Sequence, residues 1–336
     1  MYSQDIEVIR SVSQWLNQGD SVWYVTITKT WGASPRPIGS LFAFNPACKK
    51  QVGSLSGGCV EQDLINELSS LPTSVPPFSS PILKQYGLSQ EEVVRFQLPC
   101  GGQLDLVLEL LSPHQNNLNL FDEMFSLLCD RKRIQRQLSL LTGKSTLVTL
   151  NCDSHSEVQI NSEYLSHIIG PEYRLLIVGV GDVSHYLIEM ALAVDFNVSL
   201  CDPRIEFIDR YRLKTNRKES MNTIKAIHCL PDDLVRENFH DEYCCIVALS
   251  HDPRVDDMAL MEALKSNAFF VGAMGSLKTS ENRVSRLKKL GMTPQQLAKL
   301  HAPVGVPINS KMPAEIAISI ISQLILYRNL HANKVH

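Results

Sequence analysis

Residues 53–64 read GSLSGGCVEQDL. Val60, Leu64, Ile65 and Leu68 recur at helical spacing, so Gly57-Gly58-Cys59 falls at or just before a helix N-terminus. At such an end the dipole and the unpaired N–H groups favour a thiolate, which is both a nucleophile and a ligand for a soft metal. Glycines on its N-terminal side let a large ligand approach the backbone. Glu61 has two readings: a like charge that opposes the thiolate where the two groups meet, or a first-turn acid that serves the helix. Cys100 has similar surroundings in LPCGGQLDL (98–106), before Gly101-Gly102, with a small residue in a tight turn as the alternative. Arg36, in GASPRPIG, is either an anion clamp or a solvated loop residue.

A second constellation lies in the other half of the chain. The apolar run RLLIVGVG (174–181) leads into Gly179-Val180-Gly181-Asp182-Val183-Ser184 and a helical pattern, and Asp202 closes the next strand. This is nearly the Rossmann fingerprint, with glycines in the tight turn and an acid placed to meet a ribose hydroxyl. Ser184 stands where the third glycine would be. Asp182 puts a negative charge where a pyrophosphate would approach, although a carboxylate also suits a helix N-terminus on its own account. The pattern fits bound NAD or a similar nucleotide, and equally a Rossmann scaffold put to another use.

The elements that must position these groups follow from periodicity. In the first half the expected order is a helix (5–18), a strand (21–30), a Pro- and Gly-rich loop (31–40) and strands at LFAFN, KQVGSLS and LDLVLELL (104–111). Helices are expected at 60–70 and 118–142, and a strand at 144–152. Residues 153–172 are polar and patternless and read as an interdomain linker. Beyond them NVSLCD, TIKAIHCL, CCIVALS and AFFVGAMGS alternate with helical patterns, which implies a parallel sheet covered on both faces. The fold class is therefore α/β: an N-terminal mixed α/β domain (1–160), a linker (161–173) and a C-terminal Rossmann-like parallel-sheet domain (174–330).

Composition excludes several functions. The 336 residues are 44% hydrophobic and 20% charged, with a net charge of −3, so no general attraction to nucleic acid or to an anionic membrane is expected. Arg131-Lys132-Arg133 reads as a solvated helix face. The N-terminus lacks a signal peptide's layout, and IAISIISQLILY (316–327) is too short and too polar for a membrane span, so it reads as a buried C-terminal helix. Nine cysteines with no CxxC pair fit neither a disulfide framework nor a zinc ribbon, which points to reduced thiols and a cytoplasmic location. Most of them should be small buried hydrophobes, Cys201, Cys244 and Cys245 above all.

Taken together, GASPRPIGS, GSLSGGCVEQDL and CGGQLDLVLEL in the first half, with LLIVGVGDVSHYL, CDPR, ALSHDPRVDDMAL, FVGAMGSLKT and LHAPVGVPINSKMPAEIAISI in the second, resemble the XdhC/CoxI family. That family comprises accessory factors of xanthine dehydrogenase and related molybdenum hydroxylases. The resemblance implies a cysteine-bearing N-terminal domain and a Rossmann domain. It further implies a non-catalytic chaperone that binds molybdenum cofactor (molybdopterin), protects it during sulfuration and delivers it to the hydroxylase. Cys59 becomes the leading cofactor and molybdenum contact, with Cys100 second. Gly57, Gly58, Glu61 and Arg36 surround the thiol site; Gly179, Gly181, Asp202 and His251 line the Rossmann edge, where a nucleotide could bind. His251 and Asp252 are read either as functional or as a turn capped by Asp252. The implied partners are the hydroxylase, a cysteine desulfurase and cofactor-biosynthesis proteins, with no nucleic acid and no membrane, and a homodimer is compatible. Here Asp182 replaces the family's common histidine, and PVGVPINS (303–310) its PIGLDIG. Two other classes stay open: an NAD(P)-binding oxidoreductase, and a sulfur carrier that uses Cys59 as nucleophile.

Overall fold

A computed structural model of the chain describes residues 3–31, 36–56, 58–72, 80–87, 103–150, 158–215, 224–250 and 252–334. These fall into two units, drawn from residues 1–171 and 172–334.

In unit 1, α1 (Ser3–Asn17) precedes β1 (Val22–Trp31), β2 (Leu41–Asn45) and β3 (Lys50–Gly53). Then come α2 (Cys59–Ser70), β4 (Ile82–Tyr86), β5 (Gln103–Leu111), α3 (Gln115–Cys129), β6 (Arg133–Ser139), β7 (Ser145–Leu150), β8 (Val158–Ile160) and β9 (Tyr164–Ile169). One antiparallel sheet runs β3-β2-β1-β5-β4 and a second β7-β6-β9-β8. The period-2 geometry of β1 sends Val22 and Tyr24 to one core, shared with α1 and α3, and Trp23, Val25 and Ile27 to the other, shared with α2. Both faces of the sheet are thus covered at its centre, where β1, β2 and β5 are rich in apolar residues, while the edge strands β3 and β4 are largely exposed.

Two expectations fail in this unit. The helix expected over 118–142 ends at Cys129, and β6 begins at Arg133. Asp130 and Arg131 make the break, with Arg131 at φ 63°, a left-handed position that no glycine announces. Arg133 is consequently buried at the start of a strand, not on a solvated helix face. The stretch read as linker also contains β8 and β9, which pair with each other and, through β9, with β6. Its polar look arises because Ser166 and His167 are buried in β9.

His167 carries a testable consequence. Burial and then the Arg136 charge push its imidazole down to about 3, so the folded unit keeps it neutral while the unfolded chain protonates near pH 6.5. Stability is therefore fully present above about pH 6.5 and is lost as pH falls from there toward 3, by about 2 kcal/mol between pH 7 and pH 5. All three tryptophans, Trp15, Trp23 and Trp31, belong to this unit. Denaturant unfolding followed by tryptophan fluorescence should show that slope in the wild type, and His167→Gln should flatten it; an equal slope in both would remove His167 as its source.

In unit 2, β10 (Arg174–Val178), α4 (Asp182–Ala193), β11 (Asn197–Cys201), α5 (Ile205–Thr215), β12 (Lys225–Ile227), α6 (Pro231–Asn238), β13 (Cys244–Ala248), α7 (Pro253–Ala263) and β14 (Phe270–Ala273) alternate. They are followed by α8 (Leu277–Lys289), α9 (Pro294–Leu297), β15 (Leu300–His301) and α10 (Pro313–Lys334). The parallel sheet runs β12-β11-β10-β13-β14-β15. Each central strand feeds two cores: Leu175 and Ile177 of β10 face α4 and α10, while Leu176 and Val178 face α6 and α7. Cys244 and Cys245 divide in the same way, and both are buried with Cys201, as expected. The C-terminal helix is one-sided: Ala317, Ile320 and Leu324 are in the core while Ile318 and Leu326 are exposed. Among the described residues no helix is long and apolar enough to cross a membrane.

Candidate functional site

The first site is the start of α2. Val60, Leu64 and Leu68, at i, i+4 and i+8, are the helix's buried residues. Cys59, the first residue of the helix, is exposed. Glu61 acts as a brace: its carboxylate accepts hydrogen bonds from Ser54 Oγ (2.9 Å), Leu55 N (3.0 Å) and Gln51 Nε2 (3.2 Å). It thereby ties the first turn of α2 to β3 and the loop after it, which is the helix-serving reading of this acid extended to the loop. The N-cap is Gly58, which has no side chain to cap the helix, and a Cβ placed on it would meet nothing within 4 Å among the described residues. The result is an exposed thiol at a helix start whose N-cap carries no side chain. Arg36 is engaged elsewhere, hydrogen-bonded to Gln4 of α1. Gly57 and Cys100 lie outside the described residues.

The second site is the carboxyl edge of the parallel sheet. Gly179 leaves β10 at φ +102°, and its N–H donates to Cys201 O at 2.8 Å. Ser184 closes the turn in place of a third glycine: Gly181 N donates to its Oγ, and the hydroxyl donates back to Gly181 O, both at 2.8 Å. Asp182 is exposed at the start of α4.

Asp202 is fully buried and turned toward the protein itself. Its Oδ2 accepts from Val180 N (2.9 Å) and Arg204 Nη2 (2.7 Å), and its Oδ1 from Arg204 N (3.0 Å) and Nε (2.8 Å). Burial pushes this carboxyl up, but the Arg204 guanidinium and the two backbone N–H groups together hold it below its ordinary value. Across the turn, Ser250 N donates to Asp256 Oδ1 (3.1 Å), and Asp256 is paired with the buried Arg283 at 2.7 Å. His251 lies outside the described residues.

The structure thus groups Gly58, Cys59 and Glu61 in unit 1 and Gly179, Gly181 and Asp202 in unit 2. Sequence reasoning missed the residues that hold these groups: Ser54 behind Glu61, Arg204 behind Asp202, and Asp256 with Arg283 behind Ser250. The signal for Arg204 was present, an arginine two residues after the acid, but its role depends on how the chain turns after β11. Among the described residues no three His, Cys, Asp or Glu side chains gather as a metal site.

A mixed α/β unit with an exposed helix-start cysteine, joined to a Rossmann unit with a closed glycine turn, defines the class. The chain belongs to the XdhC and CoxI family: the family model of that name matches residues 15–73, and the model for the XdhC Rossmann domain matches residues 175–324. It is 21% identical over 324 residues to a Bacillus subtilis protein described as a probable xanthine dehydrogenase subunit, covering 90% of this chain and 92% of that one. It is also 21% identical over 330 residues to the molybdenum cofactor insertion chaperone PaoD of Escherichia coli, covering 96% and 88%. A crystal structure described as a xanthine dehydrogenase from Bacillus halodurans superposes with a TM-score of 0.73 at 24% identity, covering 97% of this chain and 96% of that one, and so shares its fold.

Proposed function

We propose that this protein is a molybdenum cofactor insertion chaperone for a xanthine dehydrogenase-type hydroxylase. It takes up the cofactor, holds it through Cys59, shields it while its sulfurated form is made, and passes it on. Membership of the family and the name of the chaperone relative support the reading. The observation that carries it is the exposed Cys59 thiol at the start of α2, next to a glycine N-cap and braced from behind by Glu61. A bound molybdenum centre would supply a soft, thiolate-seeking metal. The chain's part is to present Cys59, keep Gly58 clear and hold the loop still through Glu61. Cys100 is assigned as the second contact. The partners are the hydroxylase and the desulfurase that supplies sulfur, in a cytoplasm where thiols stay reduced.

The test is molybdenum and pterin content after the purified protein is incubated with released cofactor. Wild type should bind near one equivalent, and Cys59→Ala should lose at least about tenfold in retention, since losing even an outer-shell partner of a metal ligand costs that much, with unchanged circular dichroism and melting temperature. Retention equal to wild type would remove Cys59 from the mechanism. Persulfide on Cys59 without pterin would instead identify a sulfur carrier.

A further inference from the structure

The tripeptide Asp-Pro-Arg occurs twice in unit 2, at 202–204 after β11 and at 252–254 after β13. These two strands flank β10, so the copies stand on either side of the glycine turn. Their geometry is the same. In the second copy Asp252 Oδ1 accepts from Arg254 N (2.9 Å) and Nε (3.1 Å), and Oδ2 from Nη2 (2.9 Å), repeating the three bonds between Asp202 and Arg204. The Asp252 charge also acts on Arg204, so the two loops lie close enough to interact.

In the second copy Asp252 and Pro253 are explained locally, as the cap and first residue of α7; in the first, Asp202 and Pro203 precede α5, and Asp202 is explained by the turn N–H groups of Val180 and Arg204 that it accepts. The arginines are not. Each stands at the positive end of a helix, where the dipole disfavours a cation. Arg254 is 88% exposed, so its ion pair with Asp252 contributes little stability. An unfavourable choice made twice at one sheet edge points to an external anion. Each fork uses Nε and Nη2, and Nη1 of both arginines has no hydrogen-bond partner among the described residues. Arg204 is also held against the Phe207 ring, 3.8 Å from its centroid. The two guanidiniums are therefore oriented before any ligand arrives, with an edge left for a phosphate oxygen.

We propose that Arg204 and Arg254 form a two-pronged clamp for the phosphoester group of a small ligand at the carboxyl edge of the parallel sheet. The chain order of that sheet reverses between β10 and β13, the place where open α/β sheets bind ligands. Asp202 has two bonds on each oxygen, which leaves it poorly placed to receive a ribose diol. The site therefore selects for a phosphate: the extra phosphate of a phosphorylated dinucleotide, or the phosphate of a pterin cofactor. The inference goes beyond the function proposed above, which rests on the thiol site of unit 1, and requires neither molybdenum nor Cys59. The exposed Asp182 opposes an anion at this edge, so removing its charge should strengthen the clamp.

The experiment is calorimetric titration of the full-length protein at low salt with NADP+ against NAD+, and with an oxidised pterin phosphate against its dephosphorylated form. The phosphorylated member of at least one pair should bind about tenfold tighter, the scale of a charge-assisted hydrogen bond. Arg254→Gln should remove that advantage without changing the melting temperature, and Asp182→Asn should increase it; Arg204→Gln should remove it as well, but with a lower melting temperature, because it leaves the buried Asp202 without its partner. The pair that shows the advantage identifies the source of the phosphate. Equal affinities within both pairs, or an advantage that survives Arg254→Gln, overturns the clamp. Cofactor retention that depends on Cys59 but not on either arginine removes the clamp and leaves the chaperone reading standing. Arginine-dependent phosphate binding by a chain that retains no molybdenum cofactor does the reverse.

Discussion

Replacing Arg136 with methionine is expected to destabilise unit 1 by about 3–5 kcal/mol, the cost of leaving a buried charge without its partner. Arg136 and Glu109 are 3% and 5% exposed and make a two-pronged pair, Nη1 to Oε1 at 2.8 Å and Nη2 to Oε2 at 2.5 Å. Glu109 lies on β5 and Arg136 on β6, so the pair joins the five-stranded sheet to the four-stranded one. The guanidinium also donates to Ser145 Oγ and sits 5.3 Å from the Tyr24 ring centroid and 5.7 Å from that of Phe121. Glu109→Gln alone should cost a similar amount, since it strands the arginine. The double change Glu109→Leu with Arg136→Met should recover most of the loss, because an apolar pair of similar volume carries no desolvation penalty. A double-mutant cycle by tryptophan-monitored denaturation measures the coupling. Single changes costing less than about 1 kcal/mol would mean that water reaches the pair. Arg136→Met should also weaken the acid sensitivity assigned to His167, because the arginine charge helps keep that imidazole neutral.

This pair shows where sequence reasoning stops. The parallel-sheet unit was legible because its strands are buried on both faces and so read as unbroken apolar runs, each bounded by a helical pattern. Unit 1 was legible where runs were apolar, as in β1 and β5, and illegible where buried positions are polar. Arg136, Ser166 and His167 look like solvated residues until β6 and β9 pair across Arg136 and His167. The misread helix has the same origin. Met124 and Leu128, then Ile134 and Leu138, each keep a four-residue spacing, and the six-residue step between the pairs hides a turn that only backbone geometry reveals.

The candidate sites divide along the same line. Cys59 and Gly58 were legible because a helix start is written in local spacing, and Gly179 and Gly181 because a strand–turn–helix is. The groups that hold them depend on bonds the spacing does not specify. Glu61 reaches back to Leu55, and Asp202 reaches across to Val180 over 22 positions. A local motif announces a site; its rigidity is set by partners that only the fold brings near.

That rigidity is most directly tested at Gly179. Gly179→Ala is expected to cost unit 2 about 2–5 kcal/mol, the sum of about 1–2 for a left-handed backbone and about 1–3 for overpacking. Gly179 has φ +102°, and an added Cβ would lie 2.6 Å from Ser250 N and 2.7 Å from Ser250 Cα. Both are backbone atoms. Ser250 cannot easily retreat, because its N–H is held by Asp256, Asp256 by Arg283, and Arg283 by Met274 O at 3.0 Å. The strain must therefore spread into the turn, loosening the bond from Val180 N to Asp202 and displacing Arg204 with it. Hydrogen exchange should show lost protection at Val180 and in β11 and β13, and phosphate-ligand affinity should fall with it. Gly181→Ala is the contrasting control: Gly181 has φ −164°, and its Cβ would meet nothing within 4 Å among the described residues. It should melt within about 1 kcal/mol of wild type, as a surface substitution does, yet lose affinity where a ligand occupies the open space beside that backbone. A Gly179→Ala protein as stable as wild type would mean that the Ser250 loop yields, and that the turn is not the rigid element on which Asp202 and Arg204 depend.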